Sequence, residues 1–254
     1  MSDAVLVERR DNVLVISINR PEAKNALNAD VAQGIAEALD LLDTEPELRC
    51  GVLTGVGGTF SAGMDLKAFL AGETPLIGDR GLCGITAAPP KTPLVAAVEG
   101  WALAGGFELM LACDMVVASS AARFGVPEVK RALVAGAGGA FLLAQRIPRA
   151  VALELLLTGE PFDAERAERV GLVNRLVEPG TALEAACDLA SVIATNGPLA
   201  VAATKAVAVE GAAWAPAEGH AAQGRYLAPV FRSEDSREGA RAFAERRAPV
   251  WQGR

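Results

Sequence analysis

The sequence predicts an α/β protein in which a core of alternating strands and helices is followed by a helical C-terminal region. Short apolar, β-branched runs alternate with segments of helical periodicity over the first two thirds of the chain, and helical segments dominate afterwards. With 254 residues and 51% hydrophobic content, the chain can bury a large core in one globular domain.

The first predicted strand covers residues 13–18, and the helix after it begins at Asn28. The strand alternates in polarity and is rich in β-branched residues. Asn28 is a residue type that caps helix N-termini, and apolar residues recur after it at helical spacing. A second strand at 50–54 leads into a loop at 55–63 that contains too many glycines for regular structure.

The remaining predicted elements continue this order along the chain. They are a helical turn at 65–70, a surface segment at 71–90, a strand at 92–98, a turn through Gly100 into a helix from Gly105, a strand at 114–118, an irregular stretch at 123–129, a helix after 136–139, helices at 150–157 and 163–170, a strand at 172–177, and helices at 181–194, 198–210 and 234–247. We therefore divide the chain into a core at 1–195 and a helical C-terminal region at 196–254.

The composition argues against nucleic-acid and membrane partners. The chain has 24 basic and 31 acidic residues, a net charge of -7 that repels nucleic acids and anionic membrane surfaces. Apolar runs stop short of the roughly 20 residues that span a bilayer, and residues 1–10 are too charged for a signal peptide. The four cysteines form no CxxC pair, so we expect no zinc ribbon or redox dithiol and a cytoplasmic location.

The inventory of titratable side chains narrows the possible chemistry. The chain has one histidine, His220, and one tyrosine, Tyr226, so a general acid or base is expected among Asp, Glu, Lys and Cys. A Ser-His-Asp triad is disfavoured because His220 lies in an Ala/Gly-rich, predicted helical segment without an evident partner.

Glu108 is the carboxylate whose surroundings favour function most clearly. It lies in the middle of residues 99–118, which are nearly all apolar or glycine, with no basic residue beside it. Burial of an unpaired carboxylate is unfavourable and raises its pKa, an outcome that suits acid–base chemistry better than architecture. Gly105 and Gly106 precede it and mark a helix start where backbone N–H groups are bare.

Two glycine-rich loops, at 55–63 and 136–139, can also offer backbone N–H groups. Neither has the third glycine of a dinucleotide motif or the Gly-Lys-Ser/Thr of a P-loop. One donor from the loop near Gly63 and one from Gly105 would form an oxyanion hole if they converged on one oxygen. The alternative is that these glycines only make tight turns.

Three other carboxylates have structural interpretations beside functional ones. Asp65 can be a helix N-terminal acid or a functional group. Asp114 is expected to lie between a helix and a strand without a catalytic role. Glu128, close to Lys130 and Arg131, fits a surface position as well as a site position.

Several motifs together resemble the crotonase family, which is the enoyl-CoA hydratase/isomerase superfamily. They are FSAGMDLK at 60–67, AGGFEL at 104–109, ACD at 112–114, FGVPE at 124–128, GAGG at 136–139, LTGE at 157–160, GLVN at 171–174, TK at 204–205 and EGARAF at 238–243. Each motif is short, but their order and spacing match the family over essentially the whole chain.

The resemblance implies a crotonase-like spiral of ββα units with a helical C-terminal region, assembled as a homotrimer or homohexamer. It implies an acyl-CoA substrate whose thioester oxygen is held by the N–H groups of Met64 and Gly105. Glu108 and Glu128 match the two glutamates of the hydratases, and we assign Glu108 as base and Glu128 as acid. We therefore expect an enoyl-CoA hydratase of lipid or acyl-CoA degradation, with no metal and no cofactor besides the coenzyme A of the substrate.

The resemblance also implies the contacts to coenzyme A. Three of the matching residues, Ala62, Asp65 and Leu66, lie around the loop that carries Met64. The other two are Phe243 and Arg246, on the C-terminal helix of a neighbouring subunit, where Arg246 is expected to meet a phosphate.

The sequence departs from the family pattern near the acyl pocket. Ala104 replaces the first of three frequent glycines, and Arg131, Ala132 and Ala135 stand where many members have an apolar residue, glycine and proline. The acyl group therefore stays open, and some motifs resemble the carnitinyl-CoA dehydratase branch. The alternatives are an enoyl-CoA isomerase, a dehydratase of a polar hydroxyacyl-CoA, and a non-catalytic acyl-CoA-binding protein.

Overall fold

The computed structural model describes residues 3–254, whose nine strands form two sheets. The strands are β1 (Val5–Arg10), β2 (Val13–Ile18), β3 (Cys50–Gly55), β4 (Leu94–Val98), β5 (Trp101–Leu103), β6 (Met115–Ser119), β7 (Arg123–Gly125), β8 (Phe162–Asp163) and β9 (Arg175–Val177). The main sheet has the order β1-β2-β3-β4-β6-β9, and the small sheet has the order β5-β7-β8. β1 and β2 are antiparallel, and all later pairs in the main sheet are parallel.

Helices connect and cover the strands, and they make up most of the chain after β9. They are α1 (Ala29–Thr44), α2 (Leu66–Leu70), α3 (Gly105–Ala112), α4 (Gly139–Arg146), α5 (Arg149–Thr158), α6 (Ala164–Arg169), α7 (Ala182–Ala194), α8 (Pro198–Glu210), α9 (Gly219–Ala222), α10 (Gly224–Arg232) and α11 (Glu234–Glu245). The predicted α/β class with a helical C-terminal region is confirmed. Asn28 caps α1 as predicted, because its side chain accepts a hydrogen bond from the Val31 N–H.

The main sheet is buried on both faces, as parallel sheets require. Successive residues of β2 alternate between them: Leu14 and Ile16 join the large core that includes α1 and α3. Val13 and Val15 join a smaller core against α7. The sheet is therefore a rigid layer, and the loops at its strand ends carry the candidate site.

The C-terminal helices attach to the core through polar contacts. The Lys205 ammonium on α8 lies 2.6 Å from the Asp114 carboxylate and donates to the carbonyls of Pro90 and Thr92. Asp114 also accepts a hydrogen bond from the Leu94 N–H, and it lies between α3 and β6, as predicted. The division at residue 195 stays a prediction.

Within residues 3–254, no single helix has the length and apolar composition to cross a membrane, although α7 with Pro198–Ala213 meets both criteria as a pair bent by 108°.

Three local predictions are wrong. Residues 71–90 are not simply a surface segment, since Leu82, Cys83 and Ile85 are buried in the core. The stretch 123–129 is not irregular throughout, because it contains β7 and the start of a 3-10 helix, Pro127–Arg131. The helix at Gly105 does not directly follow a turn at Gly100, since β5 lies between them.

The four cysteines are free thiols and buried.

Candidate active site

The small sheet fixes the position at which α3 begins. β5 runs parallel to β7, with Leu103 opposite Gly125. The next amide, Ala104 N–H, donates to the Gly125 carbonyl at 3.0 Å. Gly125 lies three residues before Glu128, and Ala104 lies directly before the helix that carries Glu108. The short β5–β7 pairing therefore brings the two predicted catalytic segments together.

The loop that carries Met64 is held on its other side by a one-residue parallel bridge to Leu27. The Leu27 N–H donates to the Gly63 carbonyl, and the Asp65 N–H donates to the Leu27 carbonyl, both at 2.9 Å. In a parallel bridge of this kind the middle residue, Met64, directs its own N–H away from Leu27. That amide is thus free to face the start of α3.

Met64 and Gly105 lie side by side, as an oxyanion hole requires. A methyl group placed on Gly105 would lie 3.6 Å from the Met64 nitrogen, and one on Gly63 would lie 3.2 Å from the Gly105 nitrogen. Gly105 is the first residue of α3, where an N–H has no partner within the helix. The two amides therefore belong to one small surface, and a ligand oxygen there would also meet the positive end of the helix dipole.

Glu108 is buried one turn into α3, and two amides at and just before the start of α4 donate to its carboxylate. Its Oε1 accepts hydrogen bonds from the Ala137 N–H at 2.8 Å and the Gly139 N–H at 2.9 Å. Burial raises the pKa of Glu108, the two amide hydrogen bonds oppose this rise, and the charge of Glu128 adds to it. The prediction that the loop at 136–139 offers N–H groups is confirmed, although its acceptor is Glu108 and not a ligand.

Glu128 lies in the 3-10 helix Pro127–Arg131 and differs from Glu108 in its partners. Its buried Oε2 has no hydrogen-bond partner among residues 3–254. Burial raises the pKa of Glu128, while its own backbone amide and the positive charge of Arg131 oppose the rise. Since the charge of Glu128 also acts on Glu108, the two carboxyl groups form an electrostatically coupled pair. Glu128 is therefore half-buried and near enough to Glu108 to affect it, and its role in the site stays a prediction.

The residues predicted to contact coenzyme A near this loop have different surroundings. The Asp65 side chain caps α2 by accepting from the N–H groups of Lys67 and Ala68. It also forms an ion pair with Arg20 at 2.9 Å, and these contacts lower the pKa of Asp65. Ala62 is half-buried and Leu66 is exposed. The Asp65 carboxylate is therefore a structural cap, and contacts of these residues to coenzyme A stay a prediction.

Phe243 and Arg246 lie at the end of α11 and are exposed. Phe243 is 89% exposed. No hydrogen bond or ion pair within residues 3–254 joins either residue to Glu108, Glu128, Met64 or Gly105. Their predicted contact with the coenzyme A of a neighbouring subunit stays a prediction.

Two buried polar residues, Asn25 and Ser61, were not predicted from the sequence and hold the loop that carries Met64. The Asn25 amide donates to the carbonyls of Val56 and Thr59. The Ser61 hydroxyl donates to the Asn25 carbonyl and accepts from the Gly63 N–H. Asn25 has φ +54, a value that asparagine tolerates better than most residues. The position of Asn25 just after the turn at Pro21 could have indicated a structural role. Its hydrogen-bond acceptors could not be identified from the sequence, because they lie more than 30 positions away.

The chain is similar to known proteins over its full length. The profile of the family described as enoyl-CoA hydratase/isomerase matches residues 8–254. Enoyl-CoA hydratase EchA19 of Mycobacterium tuberculosis is 41% identical over 98% of this chain and 96% of that protein. A carnitinyl-CoA dehydratase of Salmonella typhi is 39% identical over 100% of both chains.

The fold agrees with these similarities. A crystal structure of enoyl-CoA hydratase from Mycobacterium tuberculosis superposes with a TM-score of 0.98 at 57% identity and covers 100% of both chains. The resemblance predicted from the motifs, including the crotonase-like fold, is thereby confirmed. The chain belongs to the enoyl-CoA hydratase/isomerase family.

Proposed function

We propose that this protein is an enoyl-CoA hydratase that adds water across the 2,3-double bond of an enoyl-CoA thioester. The single observation that carries this proposal is a pair of electrostatically coupled glutamates, the buried Glu108 and the half-buried Glu128, on the segments that hold two adjacent backbone amides. Hydration needs three functions at once: a base for water, an acid for C2, and donors for the thioester oxygen. Glu108 is proposed as the base, Glu128 as the acid, and the amides of Met64 and Gly105 as the donors.

The thioester oxygen is proposed to accept hydrogen bonds from the N–H groups of Met64 and Gly105. Attack of water at C3 moves electron density onto this oxygen as an enolate, so donors aimed there act where charge develops. Loss of one such donor typically costs about 3 kcal/mol of transition-state stabilisation. The N-terminus of α3 adds to this effect because its dipole favours negative charge.

The two glutamates are proposed to take different roles because their surroundings differ. Two amides stabilise the charged form of Glu108, so it is the base that takes a proton from water. Glu128 has a buried oxygen without such a donor, which favours the protonated form that delivers a proton to C2. Two carboxyl groups around one water in general push their pKa values apart, which supports this division.

Several features of the surroundings support an acyl-CoA substrate and an assembled protein. Large apolar side chains on the segments around the site are exposed, as an acyl chain or a partner subunit would require: Leu66, Phe69, Leu133, Val134 and Phe141. The exposed Phe243 and Arg246 suit contacts to coenzyme A bound in a neighbouring subunit of a homotrimer or homohexamer. We place the protein in the cytoplasm, and coenzyme A enters only as part of the substrate.

Product analysis over a set of thioesters tests the proposal. The purified protein is incubated with 2-enoyl-CoA and 3-enoyl-CoA substrates of several chain lengths, and the products are separated and identified. We expect 3-hydroxyacyl-CoA from the 2-enoyl substrates. Shift of the double bond without water addition would instead identify an isomerase. Tight binding of all thioesters without turnover would identify a non-catalytic acyl-CoA-binding protein.

A further inference from the structure

Polar contacts join α4 to α3 at both ends of α4. At its start, the N–H groups of Ala137 and Gly139 donate to the Glu108 carboxylate of α3 at 2.8 and 2.9 Å. At its end, the Arg146 guanidinium donates to the carbonyl of Cys113, the residue that ends α3. Because Glu108 and Cys113 belong to one helix, the contact at the end of α4 also affects where its first turn lies.

The apolar packing of α4 is limited. Gly139 and Leu143 are its buried residues, and Gly139 has no side chain to pack. Leu142 and Ala144 are half-buried against the core. Leu143 therefore anchors the middle of the helix, and a rotation about this point would move the first-turn amides relative to the proposed base. The Arg146 contact opposes such a rotation, because it fixes the end of α4 to a backbone carbonyl of α3.

Arg146 has unfavourable surroundings for a cation. Burial lowers the pKa of its guanidinium, because removal of a charge from water is costly. No ion pair of Arg146 occurs within residues 3–254, and Asp114, whose charge acts on Arg146, pairs with Lys205 instead. The partner of Arg146 is the carbonyl at the C-terminus of α3, where the helix dipole favours a cation. This placement suits a residue that holds two helices together.

We propose that Arg146 is a positioning residue, which holds the first turn of α4 against α3 so that two amides stay bound to Glu108. The inference rests on the proposed hydratase function, in which Glu108 is the base. The two amides stabilise the charged carboxylate, so their displacement favours its protonated form. A protonated Glu108 cannot take a proton from water, so Arg146 acts on the reaction through Glu108.

The pH dependence of hydration separates this role from a purely structural one. We measure kcat/KM for crotonyl-CoA between about pH 5 and 9, where the fall at low pH reports protonation of the base. In Arg146→Met the amide hydrogen bonds weaken and the pKa of Glu108 rises, so this fall should begin at higher pH. We expect a loss of about tenfold at the acid end, the order that one weakened hydrogen bond to a charged group gives, and a smaller loss at the alkaline end. A purely structural role would lower the folded fraction without moving the fall along the pH axis.

Arg149→Met is the matched control. Arg149 is three residues further along the chain, is exposed, and forms no hydrogen bond or ion pair within residues 3–254. Its removal should leave the wild-type pH profile unchanged. Arg146→Lys keeps a cation with a shorter side chain, so its profile should lie between those of the wild type and Arg146→Met. It also serves as the test variant if Arg146→Met does not fold.

A second comparison uses Gly139→Ala, whose methyl group would lie 3.0 Å from Glu108 Oε1 and displace the carboxylate directly. Arg146→Met should therefore cost little more in this background. Fully additive losses, an unchanged pH profile in the Arg146 variant, or an equal movement of the profile in Arg149→Met would overturn the positioning role. Failure of the proposed function has a different signature, namely no hydration of any enoyl-CoA, including crotonyl-CoA, by the wild type.

Discussion

At the scale of single residues, Ala104 combines unfavourable backbone geometry with a position directly before Gly105, whose amide is a proposed donor to the thioester oxygen. Its φ of +49 and ψ of −125 place it in a region that residues with a Cβ rarely adopt. Such conformations cost about 1–3 kcal/mol and persist where the surrounding structure imposes them. The Gly125 carbonyl binds the Ala104 N–H, and the Gly105 amide follows directly. The strain is therefore stored at the start of α3.

Ala104→Gly should relieve this strain. We expect the free energy of unfolding to rise by about 1 kcal/mol, because the relief exceeds the entropy that glycine adds to the unfolded chain. Urea denaturation of both proteins measures the difference. Ala102→Gly is the control, since Ala102 is a buried strand residue without positive φ, and it should destabilise the protein. A destabilised Ala104→Gly variant would refute the strain argument.

The raised pKa of Glu128 leads to a prediction about pH and stability. In the unfolded chain this carboxyl group has its ordinary pKa, whereas burial raises the pKa in the folded protein. Between these two values the folded state binds more protons than the unfolded state, so stability falls as pH rises through the window. The full destabilisation is present above the raised pKa.

Glu128→Gln should remove this pH dependence, because glutamine does not titrate. We expect the variant to unfold at higher urea concentration than the wild type at pH 8. The difference should shrink as pH falls towards the ordinary pKa of a glutamate. A difference that is constant with pH would show that Glu128 is not held in a destabilised charged form at pH 8.

At the scale of elements, α4 positions the proposed base through its first turn. The Gly139 N–H binds Glu108, and a methyl group on Gly139 would lie only 3.0 Å from both Cγ and Oε1 of Glu108. The same methyl group would lie 2.9 Å from the Cβ of Ala135. Such distances require the carboxylate or the helix to move. Glycine at residue 139 therefore leaves the space that the Glu108 carboxylate occupies.

Gly139→Ala should lower kcat for hydration by about 100-fold, the lower end of what a misplaced general base costs. Steady-state kinetics with crotonyl-CoA measures the loss. Gly136→Ala is the matched control from the same loop, since its methyl group would meet nothing closer than the Val134 carbonyl at 3.7 Å. Similar kinetics for both variants would exclude a specific role for Gly139.

The elements differ in how far their sequences reveal them. α1 follows from Asn28 and its apolar spacing because both signals are local. β5 and β7 have three residues each and exist through pairing with each other, so no local pattern distinguishes them from loops. Residues 82–85 are buried although their backbone is irregular, and periodicity cannot detect such burial. Charge and glycine content predicted a surface segment there. That prediction was wrong because composition carries no information about tertiary contacts.

At the scale of the whole molecule, one ion pair joins the C-terminal helices to the main sheet. The Lys205–Asp114 pair has 13% and 20% side-chain exposure, and Lys205 also binds two backbone carbonyls before β4. Removal of one partner from a buried pair leaves an uncompensated charge and costs about 3–5 kcal/mol. The pair therefore stabilises the packing of α8 against the core, and it joins two residues that are far apart in the sequence.

Lys205→Met should lower the free energy of unfolding by about 3 kcal/mol, since the side-chain volume is kept but the charge is lost. Arg169→Met is the control, because the Arg169–Glu165 pair is exposed, with 66% and 72% side-chain exposure, and its loss should cost less than about 1 kcal/mol. Equal losses for the two variants, measured by urea denaturation, would contradict a special role for the Asp114 contact.

The candidate site as a whole could be predicted only in part from sequence. Glu108 stood out because a carboxylate in an apolar run is unusual, and Gly105 because a helix start exposes amides. Glu128 did not stand out locally, since its burial depends on β5 pairing with β7. Ser61 and Asn25 could not be found, because their partners are fixed by the folded loops. The family resemblance identified Met64 and Glu128, whose proposed roles depend on contacts between segments that are distant in the sequence.

The central claim is that Glu108 and Glu128 together add water to an enoyl-CoA thioester. The most direct measurement is the rate of crotonyl-CoA hydration by the wild type, Glu108→Gln, Glu128→Gln and the double variant. We predict that each single change lowers kcat by about 10²–10⁴-fold and that the double change costs little more, because residues that act as a unit are not additive. Near wild-type hydration by either single variant would contradict the account.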